Sequence, residues 1–206
     1  MPTVHQRLDE MTTALERGDI AAAFAITDDW RLHAKESWEP GLIANCRTWL
    51  RWTAGDKKGA LEENEQQRIL ADPDNKTGRQ LLHYWWDRAY LLAEAGRWTD
   101  AAAARAEFDR LADRPDDRDS RKTLEAWLLT MRGDGAGALA AARAVDTTRD
   151  DDIQDLYVLS RAFAAGGDAA GAERIRGLIR HGNRYPMKPV ILREMKRDDE
   201  KAASRH

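Results

Sequence analysis

The sequence has one cysteine and no long apolar run, and both absences narrow the kind of protein it encodes. A single thiol, Cys46, allows no disulfide within the chain and cannot by itself build a cysteine metal site, as is typical of a reducing compartment. Because Cys46 stands in a stretch with apolar residues at helical spacing, we interpret it as a small core residue rather than a reactive thiol. No run of eighteen apolar residues is present, so no membrane-spanning helix is predicted.

The N-terminal residues also lack a secretory pattern. Residues 1–15 have neither a basic start nor a continuous apolar stretch, which favours the cytoplasm. A length of 206 residues with 42% hydrophobic and 33% charged content predicts a folded domain with a real core and well-hydrated faces. The richness in alanine, arginine and aspartate suggests a bacterial protein.

Catalytic and cofactor motifs are missing as well. No HExxH, P-loop, GxSxG or GxGxxG pattern occurs in a strand-to-helix context, and the five histidines are scattered. His83 and Asp87 share a predicted helix face at i,i+4, which suits an acid/base pair or half a metal site, but we favour a hydrogen-bonded surface or groove pair. We therefore predict no enzymatic activity, no cofactor and no metal.

What the sequence does contain is a glycine that recurs at a nearly constant period, with an alanine five residues after each copy. The spacings are 37, 41, 37 and 34 residues, a range typical of proteins built from stacked helical repeats. The glycines are Gly18, Gly55, Gly96, Gly133 and Gly167, and the alanines are Ala23, Ala60, Ala101, Ala138 and Ala172.

The residues around each glycine predict a helix, a tight turn and a second helix. A glycine can end the first helix in the left-handed conformation, and the aspartate that follows four of the five can cap the next helix. At the third glycine the following residue is Arg97, so we expect Thr99 or Asp100 to serve as the cap. The small alanine predicts the point at which the two helices approach closely.

Helical periodicity and the polar breakers between units give the element boundaries. We predict hairpins over residues 3–35, 41–71, 77–112, 119–145 and 151–181, followed by a capping helix over 189–200. The individual helices are predicted near 3–17, 20–35, 41–54, 57–71, 77–95, 98–112, 119–132, 135–145, 151–165 and 168–181.

In the last three hairpins a small residue stands seven places before the glycine and a large apolar residue four places before it. These pairs are Ala89 and Leu92, Ala126 and Leu129, and Ser160 and Phe163. With the glycine, aspartate and alanine, the pattern resembles the tetratricopeptide repeat, a helical hairpin of about 34 residues. The match covers roughly residues 77–182; in the second hairpin Thr48 and Arg51 depart from it.

The resemblance implies one all-α domain over residues 1–206, a right-handed superhelical array of about five hairpins with a C-terminal capping helix. It also implies that a partner polypeptide lies in a concave groove lined by the first helix of each hairpin. The groove-facing residues would be Asn45, Trp49, Trp52, His83, Trp86, Tyr90, Thr123, Trp127, Tyr157 and Arg161.

Eight tryptophans are many for this length, and most are expected to fill the core, among them Trp30, Trp38, Trp49, Trp85 and Trp98. Trp85 and Trp86 are adjacent on one helix and point about 100° apart, so one of them should be partly exposed. Trp52 and Trp86 are our leading ligand-facing candidates. Aromatic side chains of this kind are enriched at binding hot spots.

These residues predict a scaffold or adaptor that binds another protein or a peptide segment. Trp86, Tyr90 and Thr123 occupy places where the family's carboxylate clamp would need lysine and asparagine. An apolar or aromatic segment with an acidic residue reaching Arg161 suits the groove better.

One alternative is an assembly subunit that self-associates or works through its convex face, which an exposed Ile191/Leu192 edge would favour. Another is an enzyme or small-ligand binder with a site near His83 and Asp87.

The charge distribution is uneven along the chain. Residues 174–197 carry a net charge of +7, whereas the whole chain carries −3. This basic end can attract an acidic partner, or it can complement the acidic body or another copy. Nucleic-acid binding is not expected, since the domain as a whole is acidic.

Overall fold

The structure is a computed structural model that describes residues 2–70, 79–115, 117–148, 152–182 and 188–204. These residues form eleven α-helices and no β-strand, which confirms the predicted all-α class. The helices are α1 (Val4–Glu16), α2 (Ile20–Leu32), α3 (Glu39–Thr53), α4 (Lys57–Ile69), α5 (Arg79–Glu94), α6 (Trp98–Leu111), α7 (Asp117–Met131), α8 (Gly135–Arg143), α9 (Ile153–Ala165), α10 (Ala169–His181) and α11 (Lys188–Ala203).

The predicted helices agree with the observed ones to within a few residues, and the start of α3 is the informative difference. The sequence places a joint at residues 39–41, but these residues form the first turn of α3. Pro40 fits there because the first turn has no intrahelical partner for its missing N–H. The buried carboxylate of Glu39 accepts bonds of 3.0 Å from the backbone N–H groups of Lys35 and Glu36. The joint predicted at residues 72–75 lies outside the described residues.

The recurring glycines, called junction glycines below, all adopt the left-handed conformation, with φ between 72° and 84°. At each one, the N–H of the following residue bonds the carbonyl oxygen five residues back, at 2.9–3.0 Å. The glycine N–H bonds the carbonyl three residues back at 3.0–3.1 Å, which completes a Schellman motif. The predicted role of the glycine as a helix stop is confirmed at all five positions.

The residue after each junction glycine is also the N-cap of the next helix. Four aspartate side chains accept the backbone N–H three residues ahead at 2.8–2.9 Å, as predicted. They are Asp19, Asp56, Asp134 and Asp168.

The third junction lacks a side-chain cap, and the prediction of Thr99 or Asp100 as a substitute was wrong. The N-cap of α6 is Arg97, whose side chain makes no capping bond. Thr99 and Asp100 lie within the first helical turn, beyond the cap position. Asp100 instead accepts a bond of 2.8 Å from Arg97 Nε.

The alanines after the junction glycines are buried, with at most 5% of their surface exposed. The small residues Ala89, Ala126 and Ser160 on the preceding helices are fully buried as well. In the last three pairs, both helices therefore bury small side chains at the positions where the spacing predicts a close approach.

Packing divides the chain into two compact units, residues 1–112 and 113–206. In the first unit, α1 packs on α2, α3 on α4 and α5 on α6, and α2 and α4 also pack on the helix that follows each. In the second unit, α7 packs on α8 and α9 on α10, α9 packs on both helices of the preceding pair, and α11 packs on α9 and α10. The predicted single superhelical array of five hairpins stays a prediction.

A buried arginine on α3 forms ion pairs with both neighbouring helices, α2 and α4. Arg47 on α3 bonds Glu63 on α4 through Nε at 2.9 Å and Asp28 on α2 through Nη1 at 2.7 Å. Trp30, also buried, donates its indole N–H to Glu39 at 2.5 Å. Since buried charges need such partners, this network fixes the position of α3, which carries three of the predicted site residues.

Candidate polypeptide-binding surfaces

In the first unit, the predicted site residues of α3 and α5 meet across the two helices. Asn45 Nδ2 donates a hydrogen bond of 2.7 Å to the buried Asp87 Oδ2. The ring of Trp49 lies edge-on to Tyr90 at 5.4 Å between centroids, and Trp86 stacks on Tyr90 at 5.6 Å. Both geometries are favourable for aromatic pairs. Tyr90 thus contacts both Trp49 and Trp86, and the role of these residues in partner binding stays a prediction.

These three aromatic rings are much less accessible than the sequence suggests. Trp49 and Trp86 are each 7% exposed and Tyr90 is 4% exposed. Trp85, by contrast, is half-buried, which confirms that one of the adjacent tryptophans is partly exposed. Trp86 Nε1 is buried without a hydrogen-bond partner among the described residues. That Trp86 is a leading ligand contact stays a prediction, but only a small part of its ring is accessible to a ligand.

Three of the predicted residues of unit 1 remain accessible. Asn45 and Trp52 are half-buried and His83 is exposed. The ammonium group of Lys57 lies 4.9 Å from the centre of the Trp52 ring, a cation–π distance. A ligand on this surface would therefore touch Trp52 and His83 before it reached the buried rings.

In the second unit, the predicted residues Trp127 and Tyr157 lie beside the guanidinium of Arg161, itself a predicted site residue. This group lies 4.8 Å from the centre of the Trp127 ring and 5.9 Å from that of Tyr157. Trp127 and Thr123 are fully buried, and Thr123 Oγ1 has no hydrogen-bond partner in the described parts of the chain. The arrangement is an arginine backed by aromatic rings, which suits a planar carboxylate.

A carboxylate from the same chain lies at this arginine. Asp198 on α11 accepts a hydrogen bond of 3.1 Å from the Tyr157 hydroxyl and lies 3.7 Å from Arg161 Nε. Sequence reasoning did not select Asp198. The signal was available, because residues 191, 195 and 198 follow helical spacing and so share one face of α11.

Several side chains of the basic segment, residues 174–197, pair with acidic or carbonyl groups within the structure. Arg176 pairs with Asp199 at 2.7 Å, and Lys188 donates to the carbonyl oxygen of Gly182 at 2.7 Å, at the end of α10. Other arginines of α10 and α11 pair with Glu173 and Glu194. Arg184 lies outside the described residues. Several basic side chains of residues 174–197 thus have partners within the structure.

A polar cleft of about 970 Å³ opens in unit 2 near the N-terminal ends of α7 and α9. Its wall carries both signs of charge. The charged residues are Asp113, Arg114, Arg118, Asp119, Arg121, Asp146 and Asp155. Because the two signs are interspersed, the cleft favours no single ligand charge.

The structure describes the residues considered for chemistry, His83, Asp87 and Cys46. Asp87, one half of the pair considered with His83, bonds Asn45 as described above. No cluster of three or more histidine, cysteine or carboxylate side chains is arranged to hold a metal ion in the part of the chain that the structure describes. Burial raises the pKa of the Cys46 thiol to about 12, which agrees with its predicted place in the core.

The function must be inferred from the fold and the candidate site, because two comparisons with known proteins gave no match. No protein-family model matches the chain, and no curated protein matches it either. Among the described helices, none has both the length and the apolar character needed to cross a membrane.

Proposed function

We propose that the chain is a polypeptide-binding scaffold of the tetratricopeptide type, which holds a partner segment against the first helices of its hairpins. It would act by recognition alone, through preformed surfaces that remove part of the partner from water. The resemblance in sequence and the five equivalent junctions support this proposal.

The observation that carries it concerns the residues six places before the junction glycines. Within unit 1, Trp49 contacts Tyr90, and within unit 2, Arg161 lies over Trp127. Within each unit these positions come from consecutive first helices, so side chains at one repeat position contact each other there. The accessible residues beside these buried rings, Trp52 in unit 1 and Arg161 in unit 2, are of the types enriched at binding hot spots.

The alternative of an assembly subunit receives less support. It called for an exposed Ile191/Leu192 edge on the last helix, and only half of that edge is exposed: Leu192 is 36% exposed, but Ile191 is buried at 6%. The enzymatic alternative near His83 and Asp87 likewise gains no observation in its favour.

A matched pair of tryptophan variants tests the proposal. Trp52 on α3 and Trp98 on α6 are both half-buried, but only Trp52 lies on a first helix. We expect immobilised wild-type protein and the Trp98→Ala variant to retain a common polypeptide from an extract of the source cells. The Trp52→Ala variant should lose at least about tenfold in retention, equivalent to a hot-spot contact of roughly 1.4 kcal/mol.

Both variants must first show the helical circular dichroism and a cooperative melt of the folded chain. Equal retention by Trp52→Ala and Trp98→Ala would place the binding elsewhere and contradict the proposal. Trp86→Ala is unsuitable for this test, because Trp86 stacks on Tyr90 in the interior and its loss would alter stability as well as binding.

A further inference from the structure

The last helix, α11, lies against α9 and α10 in the way that an amphipathic helical ligand would. Val190, Ile191 and Met195 are 3–6% exposed and form its buried face. Ile191 and Met195 belong to the apolar core that includes residues of α9 and α10. One turn beyond Met195, Asp198 meets Tyr157 and Arg161.

Tyr157 and Arg161 are two of the ten residues that the repeat pattern assigns to partner binding. The aliphatic contacts of α11 provide non-directional burial, and the Asp198 carboxylate provides the directional contact. Arg161 is a selective receptor for a carboxylate, because the rings of Trp127 and Tyr157 hold its planar guanidinium.

We infer that unit 2 binds an amphipathic helix of a partner protein, which presents aliphatic side chains and, one turn later, a carboxylate. The chain's own α11 competes with that helix for the same surface of α9 and α10. The inference rests on the proposed scaffold function and names the class of partner. A partner helix with this pattern replaces the contacts of α11 one for one: aliphatic side chains for Val190, Ile191 and Met195, and an acidic residue for Asp198.

The tether gives α11 an advantage over a free helix. Because it belongs to the same chain, α11 is present at a high effective concentration. The apparent affinity of a free helix for the wild-type chain therefore equals its intrinsic affinity multiplied by the fraction of molecules in which α11 has left the surface of α9 and α10. Weakening the Asp198 contact should raise that fraction and with it the affinity for an added helix.

The test uses the full-length protein and a fluorescent synthetic peptide with the sequence of residues 188–203, KPVILREMKRDDEKAA. In the Asp198→Arg variant, the new arginine faces Arg161 and repels it. The control is Glu200→Arg, the same change of charge on the same helix at an exposed residue whose nearest partner is Lys196 at 3.8 Å.

We expect fluorescence anisotropy to show at least about tenfold tighter peptide binding to the Asp198→Arg protein than to wild type, and less than twofold change for Glu200→Arg. Hydrogen exchange over residues 188–203 should accelerate in Asp198→Arg alone. Equal affinities of the two variants for the peptide would overturn the inference.

A charge exchange tests the directional contact without relying on the first variant. The Arg161→Glu protein should fail to bind the wild-type peptide and should bind a peptide that carries Asp198→Arg. If Arg161→Glu binds both peptides equally, Arg161 does not read the carboxylate and the inference is wrong.

A second copy of this chain is the competing occupant. Light scattering on wild-type protein distinguishes it, because a concentration-dependent dimer that Arg161→Glu dissociates would mean that the α11 helices exchange between copies. That result would overturn the assignment of a foreign helix. The Trp52 comparison reports on unit 1, so a failed peptide test with a positive Trp52 result rejects this inference and leaves the scaffold proposal standing.

Discussion

A single residue, the aspartate that follows four of the five junction glycines, performs two tasks at once. Its backbone N–H closes one helix and its side chain caps the next. At Asp56, the Gly59 N–H, followed by the Arg51 guanidinium 2.7 Å away, lowers the carboxyl pKa. At Asp168, Arg143 at 2.8 Å is the main cause of a lowered pKa, followed by the Gly171 N–H. Both carboxylates are therefore favoured in the ionised form by the fold.

These lowered pKa values predict how stability falls in acid. A carboxyl with a lower pKa in the folded state stabilises the fold fully above its unfolded pKa, near pH 4, and loses this effect as the pH falls through the folded pKa. The Asp56→Asn/Asp168→Asn double variant keeps a capping oxygen at both positions but cannot titrate. We expect the free energy of unfolding, measured with urea, to fall less for this variant than for wild type between about pH 4 and pH 2. Parallel stability curves for the two proteins would contradict this assignment.

At the scale of elements, one glycine that is not a junction glycine, Gly166, shows how closely α8 approaches the end of α9. A Cβ on Gly166 would lie 2.5 Å from Leu139 Cβ and 2.8 Å from the Gly135 carbonyl oxygen. Gly166 has φ of −83°, so its conformation alone would allow alanine. The constraint at this glycine is therefore one of space.

Two glycine-to-alanine changes in unit 2 should have opposite effects. Gly166→Ala is expected to destabilise the protein by about 1–3 kcal/mol, because the added methyl overlaps backbone and a core side chain. Gly177→Ala, within α10, meets nothing within 4 Å and should stabilise the protein by about 0.5–1 kcal/mol through helix propensity. Chemical denaturation with a common m-value would measure both. Similar effects of the two changes would show that α8 and α9 are not in close contact.

The elements were predictable from sequence because their signals are local. A glycine, a capping aspartate and helical periodicity all act within a few residues, so the helices and junctions followed directly from the pattern. The start of α3 was misplaced because a proline suits a first turn as well as a loop. The cap of α6 was misassigned because its N-cap residue is Arg97, whose side chain lacks the usual hydrogen-bond acceptor.

The candidate site was predictable only in part. Trp49 and Tyr90, and likewise Trp127 and Arg161, were assigned to one groove and are in contact, but their role in partner binding stays a prediction. Periodicity specifies the face on which a side chain lies, but not how deeply neighbouring helices bury it, so the low exposure of Trp86 was not foreseen. Asp198 was missed because α11 lies outside the repeat period, and no repeat position predicts where its side chains meet α9.

Across the whole molecule, the eight tryptophans have very different environments. Trp30, Trp49, Trp86 and Trp127 are buried, whereas Trp38 is the most exposed at 38%. The expectation of a core role therefore holds for Trp30 and Trp49 and fails for Trp38, which stands at the N-cap of α3.

This distribution predicts the response of the intrinsic fluorescence to iodide, which cannot enter the core. Trp38→Phe should remove most of the readily quenched emission and change stability by less than about 0.5 kcal/mol. Trp127→Phe should leave that emission in place and cost more than about 1 kcal/mol, because it opens space in a fully buried site. Unchanged iodide quenching in Trp38→Phe would mean that Trp38 is covered in solution.

The junctions have a consequence for the speed of folding. Each one closes through hydrogen bonds between residues only three to five apart, and it joins two helices that are neighbours in the chain. Little loop entropy is lost before such contacts form, and chains dominated by local contacts fold in microseconds to milliseconds. Hairpins of this kind can therefore form one after another as the chain leaves the ribosome, without waiting for distant segments to be synthesised.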